Sequence, residues 1–580
     1  MIDQKNLIMA IALSLIALFG SKYLIDRFFP PAHPVVTTST TATTTTGNTA
    51  SPGMAVQPAT PAVAAFKPRA EALAESPRVE IRSDSLLGSI ALTGGRLDDL
   101  TLAKYRETVR KDSPLVVLLN PLGAQDAYFA DFGWLADSGS TLKLPDANTR
   151  WTSDGTALTP DHPVTLTWDN GGGLLFARKF EVDQNYMFTV TDSVKNAGAG
   201  EVKLYPYARI KRFGTPKTAG YYILHEGLIG VLDGSLKETK YSGIAKSGKE
   251  SFDSTGGWVG FTDKYWLTAL VPTQSDALQA RFAYEKIGET DTYQTDFLDA
   301  KAAVVAPGAT VSSATHVFAG AKVVRLLNEY RDRYGIPLFE RAVDFGWFWF
   351  LTEPLFFVLD FIYKLVGNFG VAILMLTILV RLLLFPLANK SFRAMNKMKN
   401  LTPLMTQLRE RNKDDKAKLN QEMMELYKRE KVNPAAGCLP VVVQIPVFFC
   451  LYKTLFVTIE MRHAPFFGWI KDLSAPDPTS WMNLFGLAPW AVPVGLPFVA
   501  TLSLGVWPIL MGVTMFLQQK LNPAPPDPVQ AKIFMLLPIV FTFTLAHFPA
   551  GLVIYWAWNN LLSITQQRYL MWQMAKKKPA

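Results

Sequence analysis

Beyond Gly335 five apolar stretches follow one another, at about 368–387, 435–458, 498–518, 533–547 and 551–563, the last two joined by the short turn Phe548-Pro-Ala550. About 20 apolar residues carry a helix across a bilayer, where each backbone N–H and C=O must be satisfied inside the element. A sixth run, 7–25, is long enough if Lys22 snorkels to the interface. The pattern predicts a polytopic α-helical membrane protein with six transmembrane helices, five of them forming a C-terminal core at 368–567. Composition agrees: the 580 residues are 49% hydrophobic and 18% charged, too oily and too long for one soluble domain.

The first run, within 1–29, reads as an uncleaved signal anchor, because the segment before it is weakly basic (Asp3, Lys5) and no small-x-small pattern stands near Phe19 to Ser21. A Thr/Pro-rich segment, 30–76, follows; its first part, 30–66, has ten Thr, six Pro and no Asp, Glu, Lys or Arg, and is expected to be a disordered tether. Residues 77–335 change to short alternating segments such as Val79-Glu-Ile-Arg82, Val164-Thr-Leu-Thr-Trp168, Phe188-Thr-Val-Thr191 and Glu201-Val-Lys-Leu-Tyr205, with a hairpin turn at Asp169-Asn-Gly-Gly-Gly173. That predicts a large all-β sandwich, left through a helix over 321–334. In 336–367, Leu355, Phe356, Leu359, Ile362 and Tyr363 share one face of 353–365, the pattern of an interfacial amphipathic helix.

Charge placement sets an orientation. Segment 387–433 holds twelve Lys/Arg against six Asp/Glu, whereas 459–497 holds two against three. The basic segment is expected in the cytoplasm, with both termini, so that the β-domain lies outside and the short basic tail 568–580, with Lys576-Lys-Lys578, inside. The chain's net charge of +9 therefore reports topology first.

Little points to an enzyme. Cys438 and Cys450 stand twelve residues apart in one apolar stretch, too far to pair on a helix, and the six histidines are scattered, so no metal site and no cofactor are expected. Phosphate-loop, G-x-S-x-G and H-E-x-x-H motifs are absent. Asp183, Asp192 and Glu201 in the β-domain have no spacing that separates them from solvated strand faces.

Arg381 is read as the only ionisable side chain well inside the last five apolar stretches. Arginine at mid-membrane costs about 2.5 to 3.5 kcal/mol on insertion scales, so it either snorkels to lipid phosphates or faces a wet, polar surround. Residues for such a surround lie at helical spacing: Thr377 one turn before Arg381; Tyr555, Asn559 and Ser563 at i, i+4 and i+8, followed by Gln566 and Gln567; Gln444; Thr514 and Gln518; Thr542 and Thr544. Taken singly each could be hydrogen-bonding glue between helices; together they form a candidate groove. No Asp or Glu lies within these stretches, so the site suits a transient acidic or amide-rich guest better than a proton or cation relay.

The cytoplasmic segment, 388–433, reads as a helical hairpin broken at Arg411-Asn-Lys-Asp-Asp415, with Asp414 or Asp415 able to cap its second arm. Its methionines, Met395, Met398, Met405, Met423 and Met424, are either an adaptable surface for apolar peptides or the seam between the arms. Sparse aromatics argue against sequence-specific nucleic-acid binding and leave ribosomal RNA contact to charge alone.

The membrane half resembles the YidC family of membrane protein insertases in its Gram-negative form. The resemblance rests on Val380-Arg-Leu-Leu-Leu-Phe-Pro-Leu387, Gln421-Glu-Met-Met-Glu-Leu-Tyr-Lys428, Val432-Asn-Pro-Ala-Ala-Gly-Cys-Leu-Pro440, Gln444-Ile-Pro446, Arg462-His-Ala-Pro-Phe-Phe-Gly-Trp-Ile-Lys-Asp-Leu-Ser474, Leu510-Met-Gly-Val-Thr-Met-Phe516 and Phe548-Pro-Ala-Gly-Leu-Val-Ile-Tyr555, in the family's order over 345–567. It implies an inner-membrane insertase and chaperone that accepts nascent inner-membrane proteins, alone or beside the Sec translocon, and releases them into lipid without ATP. It assigns Arg381 to a hydrophilic groove closed on the outside, and the hairpin to first contact with substrate, possible ribosome contact falling to the hairpin and tail. Trp556 follows Tyr555 where close relatives often carry a second tyrosine. A polar-solute transporter and a membrane-anchored envelope enzyme are the alternatives.

Overall fold

The computed structural model describes residues 66–220, 224–412, 415–430, 439–488, 490, 492, 499, 502–521 and 528–576. The expected signal anchor, most of the tether, Cys438, and the end of the basic tail lie outside the described residues.

Alternating sequence becomes a β-sandwich of an 11-stranded and a 9-stranded sheet. In the strand Leu174–Val182 every second residue turns inward, and Phe176 and Phe180 are fully buried. The inward row also contains Arg178, made tolerable by Asp192 at 2.7 Å and by the carbonyls of Gly95 and Phe132. The turn into this strand forms at 169–173: Asn170 Oδ1 accepts from the N–H groups of Gly172 and Leu174, while Gly171 and Gly173 supply the positive φ values. Among the described strands pairing is antiparallel except where Arg78–Arg82 meets Ala157–Leu158, and Lys67 adds an isolated parallel bridge to Ala124.

The end of the expected tether is folded. Helix α1 (Arg69–Ala74) lies on the sandwich, with Arg69 paired to Asp99 and donating to Asn120, so residues 66–76 leave the disordered class. Their charges, absent from 30–66, supply those contacts. A second short helix, α2 (Tyr241–Ser247), closes one end of the sandwich through buried Tyr241 and Ile244.

The last strand, Thr310–Ala321, runs into α3 (Val324–Tyr334), which ends at Gly335 with φ 64°. Helix α4 (Trp349–Val366) buries Phe356, Leu359 and Ile362 and exposes Phe350, Phe361 and Leu365, a two-faced helix as its apolar spacing requires. Helix α5 (Phe369–Leu383) is capped by Asn368, whose side chain accepts from Val371 N–H, and gives way at Leu384 to α6 (Phe385–Arg411) across a 66° bend. Pro386, without an N–H, sits at the start of α6 and explains the break. Helix α7 (Lys416–Arg429) returns along α6, and Asp415 caps it by accepting from Lys418 N–H at 2.9 Å.

The remaining helices are α8 (Leu439–Val457), α9 (Val506–Leu521), α10 (Pro528–Leu545) and α11 (Ala550–Lys576). Among the described residues no single helix is long and apolar enough to cross a membrane; the bent pair α5–α6 passes over Phe369–Leu383 and Phe385–Met395 together. The apolar stretch expected from 498 is interrupted, residues 503–505 being non-helical before α9 begins. Helix α9 packs on α10 and α11, and Gly512 lets the first pair close: a Cβ there would run into Thr542 Oγ1.

Candidate functional site

Three helices supply the core of the site. Arg381, half-buried near the end of α5, donates from Nε and Nη2 to Asn559 Oδ1 at 3.0 and 2.7 Å, and from Nη2 to the Asn559 carbonyl at 3.0 Å and to Ser563 Oγ. Asn559 and Ser563, one turn apart on α11, are both buried. All these partners are neutral, and no carboxylate pairs with Arg381 among the described residues. The guanidinium is thus held in place with its full charge uncompensated, offset only by dipoles. From α8, Gln444 Nε2 donates to Tyr555 OH at 2.6 Å one turn above, and Trp556 stacks on Phe448 at 4.6 Å.

The other expected groove residues divide. Thr514 on α9 accepts from Asn560 Nδ2 at 3.3 Å. Thr377 and Thr542, both buried, spend their hydroxyls on the carbonyls of Ile373 and Pro538 four residues earlier, which makes them packing groups in this state. Gln518 is half-buried on α9. Around Arg381, then, Asn559 and Ser563 form one cluster, while Gln444–Tyr555 and Thr514–Asn560 form two separate links.

In the hairpin, Met405 is buried with Leu401 and Leu426, and Met398 and Met423 pack against them, so these three methionines make the seam between α6 and α7. Met395 is half-buried and Met424 exposed. Gln566 Nε2 donates to Asn389 Oδ1 at 3.3 Å, tying α11 to the start of the hairpin.

Sequence reading missed two residues. Asn560 sits off the Tyr555–Asn559–Ser563 stripe; the signal was the adjacent pair Asn559-Asn560, whose side chains point about 100° apart and so serve two neighbouring helices. Lys453 corrects the reading of Arg381 as the one ionisable group inside the apolar stretches: it is 2% exposed in α8 and pairs with Asp344 at 2.9 Å. Asp344 also accepts from His225 N–H of the sandwich at 3.0 Å, so one carboxylate joins both halves of the chain.

More contacts fasten the same junction. Glu460, after α8, accepts from Val324 N–H at the start of α3 at 3.1 Å, and burial pushes its carboxyl up to about 7. Arg325 Nε donates to Asp360 of α4 at 2.7 Å, and Arg462 Nη2 donates to the carbonyls of Arg106 and Glu107 at 2.6 and 3.1 Å. Of the β-domain acids, Asp192 is committed to Arg178, and Asp183 accepts from Tyr330 OH and from the N–H groups of Asn185 and Met187.

Two family models divide the chain where the sandwich gives way to the helices, as an inner-membrane protein with a periplasmic domain: YidC periplasmic domain over 78–358 and 60Kd inner membrane protein over 361–577. Curated relatives cover nearly all of it. The membrane protein insertase YidC of Methylobacterium nodulans is 52% identical, covering 98% of this chain and 95% of the relative; that of Granulibacter bethesdensis is 51% identical, covering 97% of each; that of Bradyrhizobium diazoefficiens is 50% identical, covering 98% and 96%. The chain belongs to the YidC family. A crystal structure of an active YidC insertase with its first transmembrane domain resolved matches with TM-score 0.33 and 17% identity over 84% of this chain and 94% of that one. A galactose mutarotase related enzyme from Lactobacillus acidophilus matches with TM-score 0.29 and 10% identity over 42% and 97%. At these scores neither likeness bears on chemistry.

Proposed function

We propose that this chain is a membrane protein insertase that takes hydrophobic segments of nascent inner-membrane proteins through a polar groove centred on Arg381. The observation that carries the reading is the guanidinium held, among the described residues, by neutral Asn559 and Ser563, on a helix that also exposes Leu379, Leu382 and Leu383. Family membership and relatives named as insertases support it.

The uncompensated charge attracts an acidic or amide-rich tail, and polar groups at that depth shorten the hydrocarbon such a tail must cross. The substrate's own apolar segment then leaves sideways into lipid, driven by its burial, with no nucleotide needed. In this reading six spans place both termini and the basic hairpin in the cytoplasm and the sandwich in the periplasm. Met395 and Met424, outside the seam, are the hairpin residues free to meet substrate first. The Sec translocon and, through hairpin and tail, the ribosome are the partners this arrangement suits.

Replacing Arg381 by Ala, Glu or Lys in cells depleted of the wild-type protein, with crosslinking of short acidic-tailed membrane proteins to positions near Arg381 and Tyr555, tests the reading. Insertion that survives Arg381→Glu, with no crosslinks at either position, contradicts it.

A further inference from the structure

No charged residue stands between Asp477 and Lys520, a stretch of 42 residues. Helix α9 uses only its second part. The first part forms a turn at Trp481–Gly486 in which Leu484 and Phe485 take left-handed backbone angles, φ 51° and 60°. Such angles are disfavoured for branched and bulky residues, so something must hold them. Phe485 N–H donates to Ser480 O at 2.7 Å, and Gly486 N–H to Asn483 Oδ1 at 3.0 Å. The result turns Leu484, Phe485 and Leu487 outward, together with the rings of Trp469, Trp481 and Trp490.

This apolar surface differs from an ordinary aromatic rim. Each of the three indoles gives its N–H to the protein: Trp469 to Asp477 Oδ1 at 3.2 Å, Trp481 to the Leu502 carbonyl at 2.7 Å, and Trp490 to the Met482 carbonyl at 3.0 Å. A ring whose donor is already satisfied enters hydrocarbon without stranding a polar group. The surface is also fixed in height relative to α9. Asp477 Oδ2 accepts from Trp507 N–H at 3.0 Å and Thr479 Oγ1 from Val506 N–H at 3.1 Å, capping that helix. Gly505 makes room for it, since a Cβ there would stand 2.6 Å from Asp477 Cγ.

We infer that the segment 469–490 is a lipid anchor, inserting Leu484, Phe485, Leu487 and the three indoles into the outer leaflet beside the N-terminal end of α9. Lipid is the occupant because the exposed run from Trp481 to Trp490 carries no charge for a soluble partner to pair with, Lys471, Asp472 and Asp477 all preceding it, and the three indoles leave no unsatisfied donor for a protein acceptor. By holding the periplasmic end of α9 at a set depth, the anchor fixes the level of the polar links below it. The inference rests on the reading of α5 and α9 as membrane spans.

Spin labels separate the two. In a Cys438→Ser, Cys450→Ala background, single cysteines at Leu487 (88% exposed), at Leu383 (79% exposed, on α5) and at Ser138 of the sandwich are labelled, and the full chain is placed in phosphatidylethanolamine–phosphatidylglycerol vesicles. Accessibility is measured to oxygen, which concentrates in lipid, and to a water-soluble nickel chelate. Oxygen exceeding the chelate at both Leu487 and Leu383, with the reverse at Ser138, is the expected result. Leu487 behaving like Ser138, or shielded from both reagents as in a protein contact, while Leu383 stays in lipid, overturns the anchor alone. A water-exposed Leu383 overturns the span reading and the anchor with it.

Discussion

Lys453 and Asp344 form an ion pair at 2.9 Å at the junction of the sandwich with the helices, and Lys453 is buried. Asp344 reaches the sandwich through His225 N–H, and Gly346 beside it has no room for a side chain, a Cβ falling 2.8 Å from Lys453 Cε. Breaking a buried ion pair by removing one partner typically costs about 3 to 5 kcal/mol. Asp344→Asn or Lys453→Met is therefore expected to lower the melting temperature of the detergent-solubilised protein sharply. The double variant is expected to recover part of the loss, measured as a non-additive coupling in a thermal-shift cycle.

Glu460 gives the same junction a pH dependence. Burial raises its carboxyl from the ordinary 4.5 to about 7 in the folded chain, which therefore keeps a proton the unfolded chain releases. Its contribution is full below the unfolded value and declines as pH rises through 7, by about 2 kcal/mol between pH 5.5 and 8. Glu460→Gln keeps an acceptor for Val324 N–H and is expected to flatten the difference between those two pH values, read as melting temperature against wild type.

Asn559→Asp tests whether neutrality around Arg381 matters. Asn559 Oδ1 accepts two of the guanidinium's hydrogen bonds, so aspartate in its place keeps the geometry and adds the counter-charge the site lacks. Stability is expected to hold or rise while insertion of acidic-tailed substrates falls at least several-fold, measured by protease protection of a tagged substrate.

Gly512 tests the helix packing behind the groove. Alanine there meets Thr542 Oγ1, and overpacking of this kind costs typically about 1 to 3 kcal/mol. Thr542→Ala in the Gly512→Ala protein is expected to restore most of the lost melting temperature, because the hydroxyl is the nearest obstacle.

What could be read in the sequence follows from the range over which its signals act. Strand alternation and the Asp169–Gly173 turn are local, and the sandwich was legible from them. So was Arg381, one charge in an apolar run. Lys453 was not, because a lysine near the end of an apolar stretch reads as snorkelling until Asp344, remote in sequence, is placed beside it. The bend at Leu384 was hidden since an apolar run continues through it and only Pro386 marks the change. The threonines were counted toward the groove by their spacing, but spacing does not say that Thr377 and Thr542 satisfy their own helix backbones. The methionine alternatives turned on tertiary packing, which places Met398, Met405 and Met423 in the hairpin seam.

The most direct test of the groove is insertion of a short acidic-tailed membrane protein into vesicles carrying the purified chain with Arg381 replaced in turn by Lys, Ala and Glu. The account predicts that Lys retains most of the activity, Ala loses much of it, and Glu loses at least tenfold, with the order weakening when the substrate's tail acids are neutralised. Equal insertion by the Lys and Glu proteins, or an order indifferent to the tail, would contradict it.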